Sequence, residues 1–297
     1  MNWKKVLLVV ALTFVVGSEL VSAQVNILTA KKPEEIGTPS KEDSISPSKP
    51  IPYGYVSDRD ILWKREVWEF VDLDERVNFP LYYPTEELSA RKSLFMVLKE
   101  GLMADKLDVY RDSYFSEKVE GYDQIEYVLS RMDTLPAAYN FMNANPGEPL
   151  PEGYVNKIEI LPQDIQGYKI RGVWYFDKRQ GELKYRLIGI APVSKSVYDL
   201  KNDEITDYID LFWVWYPSAR ELMYEAKAFN ERNSATPISF DHLLNSRRFS
   251  ATIYKVENVY GDRDIDDYIQ DNALFQLLES DRIKEQIRDM EQDMWTY

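Results

Sequence analysis

The spacing of apolar residues predicts two helices in the first half of the chain. Five apolar residues fall within about 120° of one another on a helix of 100° per residue: Leu88, Leu94, Phe95, Leu98 and Leu102. They predict an amphipathic helix over about 86–100, with Thr85 as its cap and Gly101 at its end. Asp123 and Glu126 have capping-box spacing and predict a second helix. Its apolar positions are Ile125, Val128, Leu129 and Met132.

The middle of the chain has the composition of β-strands. Residues 168–176 and 183–190 are rich in β-branched and aromatic side chains, and the glycine-containing stretch 177–182 between them predicts a hairpin. Residues 154–161 are a candidate neighbouring strand. Six consecutive apolar residues at 211–216 are typical of a strand buried on both faces, and the alternative is a strand with one face exposed to a partner.

Two further capping boxes predict short helices. Ser57 and Asp60 predict one near the start of the structured part, after which residues 66–73 fit a strand as well as a helix. The proline after the six-residue apolar run is predicted to end that strand. Ser218 and Glu221 then predict a short helix.

The C-terminal part is predicted to be mainly helical. Ser239 is a candidate cap for a helix at 241–244, and residues 249–256 alternate as a strand does. After Gly261 the pattern is helical, but its apolar residues fall on two faces. Leu274, Leu277 and Leu278 share one face, whereas Ile283, Ile287, Met290 and Met294 share another. This change of face predicts a break or bend near Ser280.

Together these elements predict an α+β fold with a central, mostly antiparallel sheet, helices on its flanks and a helical C-terminus. The hydrophobic content of 44% is sufficient for a substantial core. The proline- and glycine-rich stretch 143–153 is interpreted as a surface loop inside one domain over 53–297. A boundary between two lobes is the alternative.

The N-terminal part differs in composition from the rest of the chain. Two lysines, an apolar run over 6–16 and a small-residue site ending at Ala23 predict a secretory signal peptide over 1–23. A membrane-spanning helix needs about 20 apolar residues, and this run is shorter. Residues 24–52 are rich in proline, serine and charge, which predicts a disordered linker.

Charge and the lack of cysteine limit the classes of partner. Without cysteine the chain forms no disulfide and no zinc–thiolate site, and it cannot carry the lipid of a bacterial lipoprotein. Removing residues 1–23 leaves 34 basic and 49 acidic residues, a net charge of −15. We therefore expect no nucleic-acid binding and no direct membrane insertion, and a basic protein partner would suit this charge. A solvated acidic surface is the simpler interpretation.

No pattern in the sequence predicts a catalytic, cofactor or metal site. The single histidine, His242, cannot form a multi-histidine metal cage, and no GxSxG turn accompanies it. The acidic run 262–267 alternates as a calcium loop does, but it lacks the glycine and the glutamate that an EF-hand needs. Both features are interpreted as structural or solvated.

Five stretches are the most recognisable parts of the chain. They are DILWKREVWEFVDLDERVNFPLYYP (60–84), GVWYFDKRQGELKYRLIGIAP (172–192), LFWVWYPSARELM (211–223), RRFSATIYKVENVYGDRDIDDY (247–268) and EQDMWTY (291–297). In this order they resemble the GldN family, also called PorN, of the type IX secretion system. The resemblance extends from about Pro52 to the end of the chain.

The resemblance implies a non-enzymatic periplasmic subunit held at the outer membrane by a partner. It implies a ring complex with an outer-membrane lipoprotein, GldK or PorK, and contact with the periplasmic part of the motor protein GldM or PorM. Aromatic residues of two matching stretches are the candidate contacts: Trp63, Trp68, Tyr82, Tyr83, Trp213 and Trp215. The rival hypothesis is a periplasmic glycan-binding protein or glycoside hydrolase, which an open cleft with two carboxylates and a tryptophan would favour.

The signal-peptide pattern predicts cleavage between Ala23 and Gln24 on export, because the small residues of a signal peptidase site end there. N-terminal sequencing of the protein from the producing cell should find Gln24 as the first residue. An intact Met1, or a first residue well inside the linker, would contradict this interpretation.

Overall fold

The computed structural model describes residues 50–86, 91–145, 152–202, 204, 207–229, 237–270 and 272–295. The predicted signal peptide, nearly all of the linker, Leu88 and part of the 143–153 loop lie outside these ranges. None of the helices within them combines the length and the apolar character that a membrane span needs.

An antiparallel sheet forms the centre of the described chain. The strands in these residues are β1 (Ile61–Asp72), β2 (Val109–Tyr110), β3 (Lys118–Val119), β4 (Ser130–Thr134), β5 (Val155–Glu159), β6 (Ile165–Asp177), β7 (Glu182–Lys195), β8 (Tyr208–Asp210), β9 (Trp213–Trp215), β10 (Lys227–Ala228), β11 (Ile238–Ser239) and β12 (Thr252–Val256). Eight of them form the central sheet in the order β12-β1-β6-β7-β9-β2-β3, with β8 paired to β7. Two small sheets, β4 with β5 and β10 with β11, lie apart from it.

The helices surround this sheet, and the last of them is the longest. Within the described ranges they are α1 (Phe79–Tyr82), α2 (Leu94–Met103), α3 (Asp123–Leu129), α4 (Pro136–Ala144), α5 (Tyr216–Glu225), α6 (Phe240–Asn245), α7 (Ile265–Tyr268) and α8 (Ala273–Trp295). A central antiparallel sheet with flanking helices and a helical C-terminus confirms the α+β prediction.

The β6–β7 hairpin is the longest pairing in the sheet and follows the sequence prediction closely. Ile165 pairs with Ser194 at one end, and Asp177 pairs with Glu182 beside the turn. The turn is closed by the N–H of Gly181, which donates to Asp177 O at 2.7 Å. The β-branched and aromatic residues on either side account for the length of both strands.

Helices α2, α5 and α6 cover one face of the sheet. Tyr168, Ile170 and Ile190 of β6 and β7 belong to this main core and are fully buried. The helix residues packed in the same core include Leu94, Phe95, Leu98, Ala219, Met223, Phe240 and Leu244. Each fully buried leucine or phenylalanine stabilises the fold by about 1.5–3 kcal/mol relative to an exposed one. This layer of helices therefore defines which face of the sheet packs against the main core.

Helix α2 begins later than the sequence predicted and does not end at its glycine. Its cap is Ser93 rather than Thr85, and Ser93 Oγ accepts from the N–H of Met96 at 3.3 Å. Gly101 lies inside the helix. A Cβ atom there would lie 2.4 Å from Leu222 Cδ2, so close packing of α2 on α5 requires the glycine.

The apolar run 211–216 is mostly buried, as predicted, but it is not one strand. The strand ends at Trp215, and α5 begins at Tyr216. Pro217 therefore does not terminate a strand. It lies in the first turn of the helix, where its missing N–H would have no partner anyway. The hydroxyl of Ser218 donates to Trp215 O at 2.9 Å instead of capping the helix.

Other short elements were predicted with mixed success. Ser239 caps α6 as expected, since its Oγ accepts from the N–H of His242 at 3.1 Å. The candidate strand in 154–161 exists, but it pairs with β4 outside the central sheet, and Met132 lies in β4 rather than in a helix. The capping-box spacing at Ser57 corresponds to a 3-10 turn that leads directly into β1. For β4 and β5, pairing with a segment distant in the sequence determined which secondary structure forms.

Helix α8 is one continuous helix through Ser280, so the predicted break is wrong. The Ser280 hydroxyl accepts from the N–H of Ile253 at 2.9 Å, and Lys284 Nζ donates to Ala251 O at 2.9 Å. Both backbone groups belong to the edge of the sheet at β12. Because these polar side chains satisfy the backbone groups, α8 covers an edge that would otherwise be open to pairing with another strand.

A short N-terminal segment, residues 50–56, lies against the end of the β6–β7 hairpin, and we call it the strap. Arg179 Nη2 donates to Tyr55 O at 2.6 Å, and Arg186 Nη2 donates to Gly54 O at 3.0 Å. Charge-assisted bonds of this kind are stronger than neutral ones. The two arginines therefore hold the strap through its backbone carbonyl groups.

Tyr53 is the anchor of the strap. Its hydroxyl donates to Asn245 Oδ1 at 2.9 Å, and its ring lies 4.1 Å from the guanidinium of Arg220. Arg220 in turn makes a two-bond ion pair with buried Asp241, at 2.9 and 3.1 Å. Burial raises the pKa of Tyr53 to about 12, with the charge of Asp241 adding to the rise and that of Arg220 opposing it.

We expect the protein to lose stability between about pH 10 and pH 12, in part through Tyr53. The unfolded chain releases this proton near pH 10 and the folded chain near pH 12. The stabilisation is therefore complete below pH 10 and is lost as the pH rises to 12. Urea unfolding across this range should show a shallower decline for Tyr53→Phe than for the unchanged protein. Identical pH profiles for the two proteins would contradict the burial of this hydroxyl.

Candidate interaction surface

The second face of the sheet carries a row of side chains that crosses five strands. The paired residues, from β12 to β9, are Lys255, Trp68, Arg171, Gly189 and Trp215. Paired residues point to the same side of a sheet, so this row holds two cations and two aromatic rings, with a glycine between Arg171 and Trp215. We call this side of the sheet the open face, because its buried cluster draws its members from strands and from the loop 111–117.

Arg171 lies at the centre of the row and holds the 111–117 loop against the sheet. Its guanidinium donates to Ser113 O at 2.7 Å and forms an ion pair with Glu66. Its planar group also lies 5.0–5.6 Å from three ring centres: Trp68, Tyr114 and Phe115. The side chain of Arg171 thus links the Glu66 carboxylate of β1 to the backbone and the aromatic rings of the 111–117 loop.

Phe115 occupies the space that Gly189 leaves in the row. Its ring centre lies 4.8 Å from that of Trp215 and 6.4 Å from that of Trp213, both nearly edge-on. A Cβ atom on Gly189 would lie 2.4 Å from Phe115 Cζ. Any larger residue at 189 would therefore displace the ring from its place between the strands.

This packing decides which tryptophans remain accessible. Trp68 and Trp213 are each only 1% exposed, so neither offers a surface to a partner in the chain as described. Trp215 is half-buried and keeps part of its ring at the surface of the open face. Three of the candidate contacts named from the sequence are Trp68, Trp213 and Trp215. The structure places all three around Phe115.

A second aromatic surface lies on α1 and the turn before it, and we define it as the α1 patch: Val77, Phe79, Tyr82 and Tyr83. Val77 is 60% exposed and Tyr83 is 49% exposed. The ring of Tyr83 makes edge contacts with Phe79 and Tyr82, at centre distances of 5.5 and 4.7 Å. The exposed rings of Phe79 and Tyr83 and the half-buried ring of Tyr82 form one aromatic group, as expected of a protein-contact surface.

A buried asparagine fixes the α1 patch to the body of the protein. Asn78 is fully buried, and its Nδ2 donates to Asp72 O at 2.6 Å and to Ser250 O at 3.0 Å. Its Oδ1 accepts from the N–H of Ser250 at 2.9 Å. Since all these groups are satisfied in the core, the exposed aromatics are held in a defined orientation.

The remaining predicted residues do not join either surface. Trp63 is half-buried and packs in the cluster that contains Ile283 and Ile287 of α8. His242 is exposed, while its neighbour Asp241 is committed to Arg220. Nowhere in the described ranges do three His, Cys, Asp or Glu side chains come close enough to hold a metal ion.

A cavity of about 330 Å³ beside α8 is the feature nearest to the cleft of the rival hypothesis. Its lining includes Glu69, Trp174 and Glu291. Glu69, however, makes two bonds to Arg247, at 2.8 and 2.9 Å, and accepts a third from the hydroxyl of Tyr185 at 3.3 Å. A buried carboxylate held in this way has no free oxygen with which to act as an acid or nucleophile. Glu69 is therefore a structural residue.

Sequence reasoning missed the residues that organise the open face. Ser113 and Phe115 lie in an irregular loop with no periodicity, and Phe115 has a positive φ of 60°. Arg171 sits inside a strand whose apolar neighbours dominated the pattern. Val77 and Phe79 lay inside a stretch already noted for its aromatics, so their exposure, not their presence, was the missing information.

Replacing Gly189 with alanine should destabilise the protein by about 1–3 kcal/mol, because the new methyl group overlaps Phe115. Urea unfolding with tryptophan fluorescence measures this, since Trp213 and Trp215 report on the same cluster. Gly153→Ala is the matched control, because a Cβ atom at 153 meets nothing within 4 Å. Equal stability of both variants would show that Phe115 does not pack as described.

The comparisons with known proteins assign the chain to a family. The model of the gliding motility associated protein GldN matches residues 56–296, a range that contains the whole central sheet, α1 and α8. No curated protein matches the chain significantly. This chain therefore belongs to the GldN family and is a component of the gliding-motility and type IX secretion machinery.

Proposed function

We propose that the protein is a non-enzymatic structural subunit of this machinery, located in the periplasm. It docks on an outer-membrane lipoprotein of the GldK or PorK kind, assembles with it into a ring, and contacts the periplasmic part of a GldM- or PorM-like motor protein. The family match over 56–296 is the observation that carries the proposal. The signal-peptide pattern supports export.

The surface chemistry supports protein contacts as the mode of action. The α1 patch exposes rings that Asn78 holds in place, so a partner meets a surface that is already ordered. Rigid aromatic residues lose little conformational entropy on binding and are frequent contact centres in protein interfaces. The alternative of glycan hydrolysis is weakened by Glu69, whose carboxylate is already bound to Arg247.

Deleting the partner lipoprotein should release the protein from the outer-membrane fraction or expose it to degradation. The net charge of −15 expected for the exported chain opposes direct binding to anionic lipid, so a protein contact must hold it at the membrane. Fractionation and immunoblotting of the deletion strain measure this, with the restored strain as control. Intact protein at its normal level in the outer-membrane fraction of the deletion strain would overturn docking.

A paired variant tests the α1 patch in a strain that retains the lipoprotein. Phe79→Ser with Tyr83→Ser should reduce co-purification with the lipoprotein by about tenfold or more, because it removes two exposed rings. Tyr127→Ser with Tyr139→Ser removes two rings elsewhere that are at least as exposed and should leave co-purification unchanged. Loss of binding in both pairs would indicate a general effect and not a contact at α1.

A further inference from the structure

The first turns of α8 place large apolar side chains in solvent. Leu274, Phe275 and Leu278 are 65, 56 and 53% exposed. At about 100° per residue, Leu274 and Leu278 lie on the side of the helix opposite Ile283 and Ile287, which pack on the sheet. The helix therefore has two apolar sides, and the outward one has no packing partner among the described residues.

Polar contacts also fix the start of the helix with this side outward. Asn272 caps it by accepting from the N–H of Phe275 at 3.1 Å. Gln276 Nε2 donates to Asp266 Oδ1 at 2.7 Å and to Ile269 O at 2.8 Å. These bonds tie the first turn to α7 and prevent the helix from turning its leucines inward.

The exposed apolar surface continues onto α7 and the loop before it. Arg263 lies 5.3 Å from the ring centres of both Tyr260 and Tyr268, and so it contacts both rings. The Tyr268 hydroxyl reaches Glu279 of α8 at 3.4 Å. We call the combined surface of Tyr260, Tyr268, Leu274, Phe275 and Leu278 the α8 patch.

Acidic residues continue the outward side of α8 beyond its leucines. Asp281, Glu285 and Asp289 lie on the same side as Leu274 and Leu278, and all three are exposed. The centre of the outward side is thus apolar over its first turns and acidic over the next, along about 23 Å of helix from 274 to 289. Exposed Arg282 and Arg288 lie about 60° to either side of this centre, and Asp281 also pairs with Lys284 at 3.6 Å. A ligand that matches it must be apolar at one end and basic at the other.

We propose that the α8 patch binds an amphipathic helix of a partner protein. The partner's apolar residues, spaced three or four apart, would cover Leu274, Phe275 and Leu278, and its lysines or arginines would face Asp281 and Glu285. The order of apolar and acidic residues along α8 selects this occupant over a purely apolar one. The inference rests on the proposed function only in taking the partner to be a protein of the same machinery.

Site-specific photo-cross-linking in the producing cell tests this proposal. The full-length chain carries p-benzoylphenylalanine in place of Leu278, and the control carries it in place of Met132, which is 65% exposed on β4. Mass spectrometry should find position 278 joined to a segment of another protein with apolar residues at helical spacing next to lysines or arginines. An adduct with a second copy, with residues 1–49 of this chain or with lipid, or no adduct above the control, would overturn the proposal.

A charge reversal separates the local contact from the general acidity of the chain. With the probe retained at 278, Asp281→Lys with Glu285→Lys should lower the adduct yield by about tenfold. Glu204→Lys with Asp207→Lys changes the net charge equally at exposed positions of another segment and should leave the yield unchanged. Equal yields in both pairs would overturn the acidic half of the proposal.

The fractionation experiment under the proposed function keeps the two ideas distinguishable. If the protein still leaves the outer-membrane fraction without its lipoprotein but gives no specific adduct at 278, the α8 inference fails and the proposed function stands. If the protein stays in that fraction without the lipoprotein while the adduct forms, docking fails and the helix-binding surface stands. Thermal unfolding of each variant should match the unchanged protein, because the substituted side chains are exposed.

Discussion

The charge of Arg171 is the constraint on which the open face of the sheet depends. Helices cover the other face, and on this one a short loop takes their place. The two terminal nitrogens of this half-buried guanidinium are bonded to Ser113 O and Glu66, which offsets the cost of placing a charge in the middle of a sheet. The same bonds hold the loop, and the loop excludes water from Trp68 and Trp213. One ion pair and one loop therefore keep a second buried cluster on the face that α2, α5 and α6 do not cover.

Local signals in the sequence predicted the elements whose partners lie close in the chain. The β6–β7 hairpin and the Ser239 cap of α6 need only neighbouring residues, and both were found. Elements that depend on distant partners were misjudged. Residues 154–161 form a strand that joins β4 and not the central sheet, and Gly101 serves the packing of α2 on α5 and not a helix end. Tertiary contacts decide such cases, and periodicity does not contain them.

The candidate surface could be predicted only in part for the same reason. The aromatic stretches 60–84 and 211–216 were recognised, but alternation could not show that the 111–117 loop would bury Trp68 and Trp213. Tyr83 stays exposed because buried Asn78 turns α1 outward through bonds to Asp72 and Ser250, which are far apart in sequence. Burial is a property of the assembled fold, whereas composition is a property of the segment.

The change of apolar face along α8 shows how a correct pattern received the wrong structural interpretation. A helix with one partner needs one apolar side, so two sides predicted two segments and a bend at Ser280. The structure keeps one helix, because Ser280 and Lys284 bond to β12 and Gln276 bonds to α7. Burying a leucine would stabilise the fold by about 1.5–3 kcal/mol. Because polar bonds hold Leu274 and Leu278 in water, the chain alone does not obtain this stabilisation. A second molecule that covers these leucines would obtain the stabilisation on binding. The acidic residues further along the same side restrict which molecule can do so.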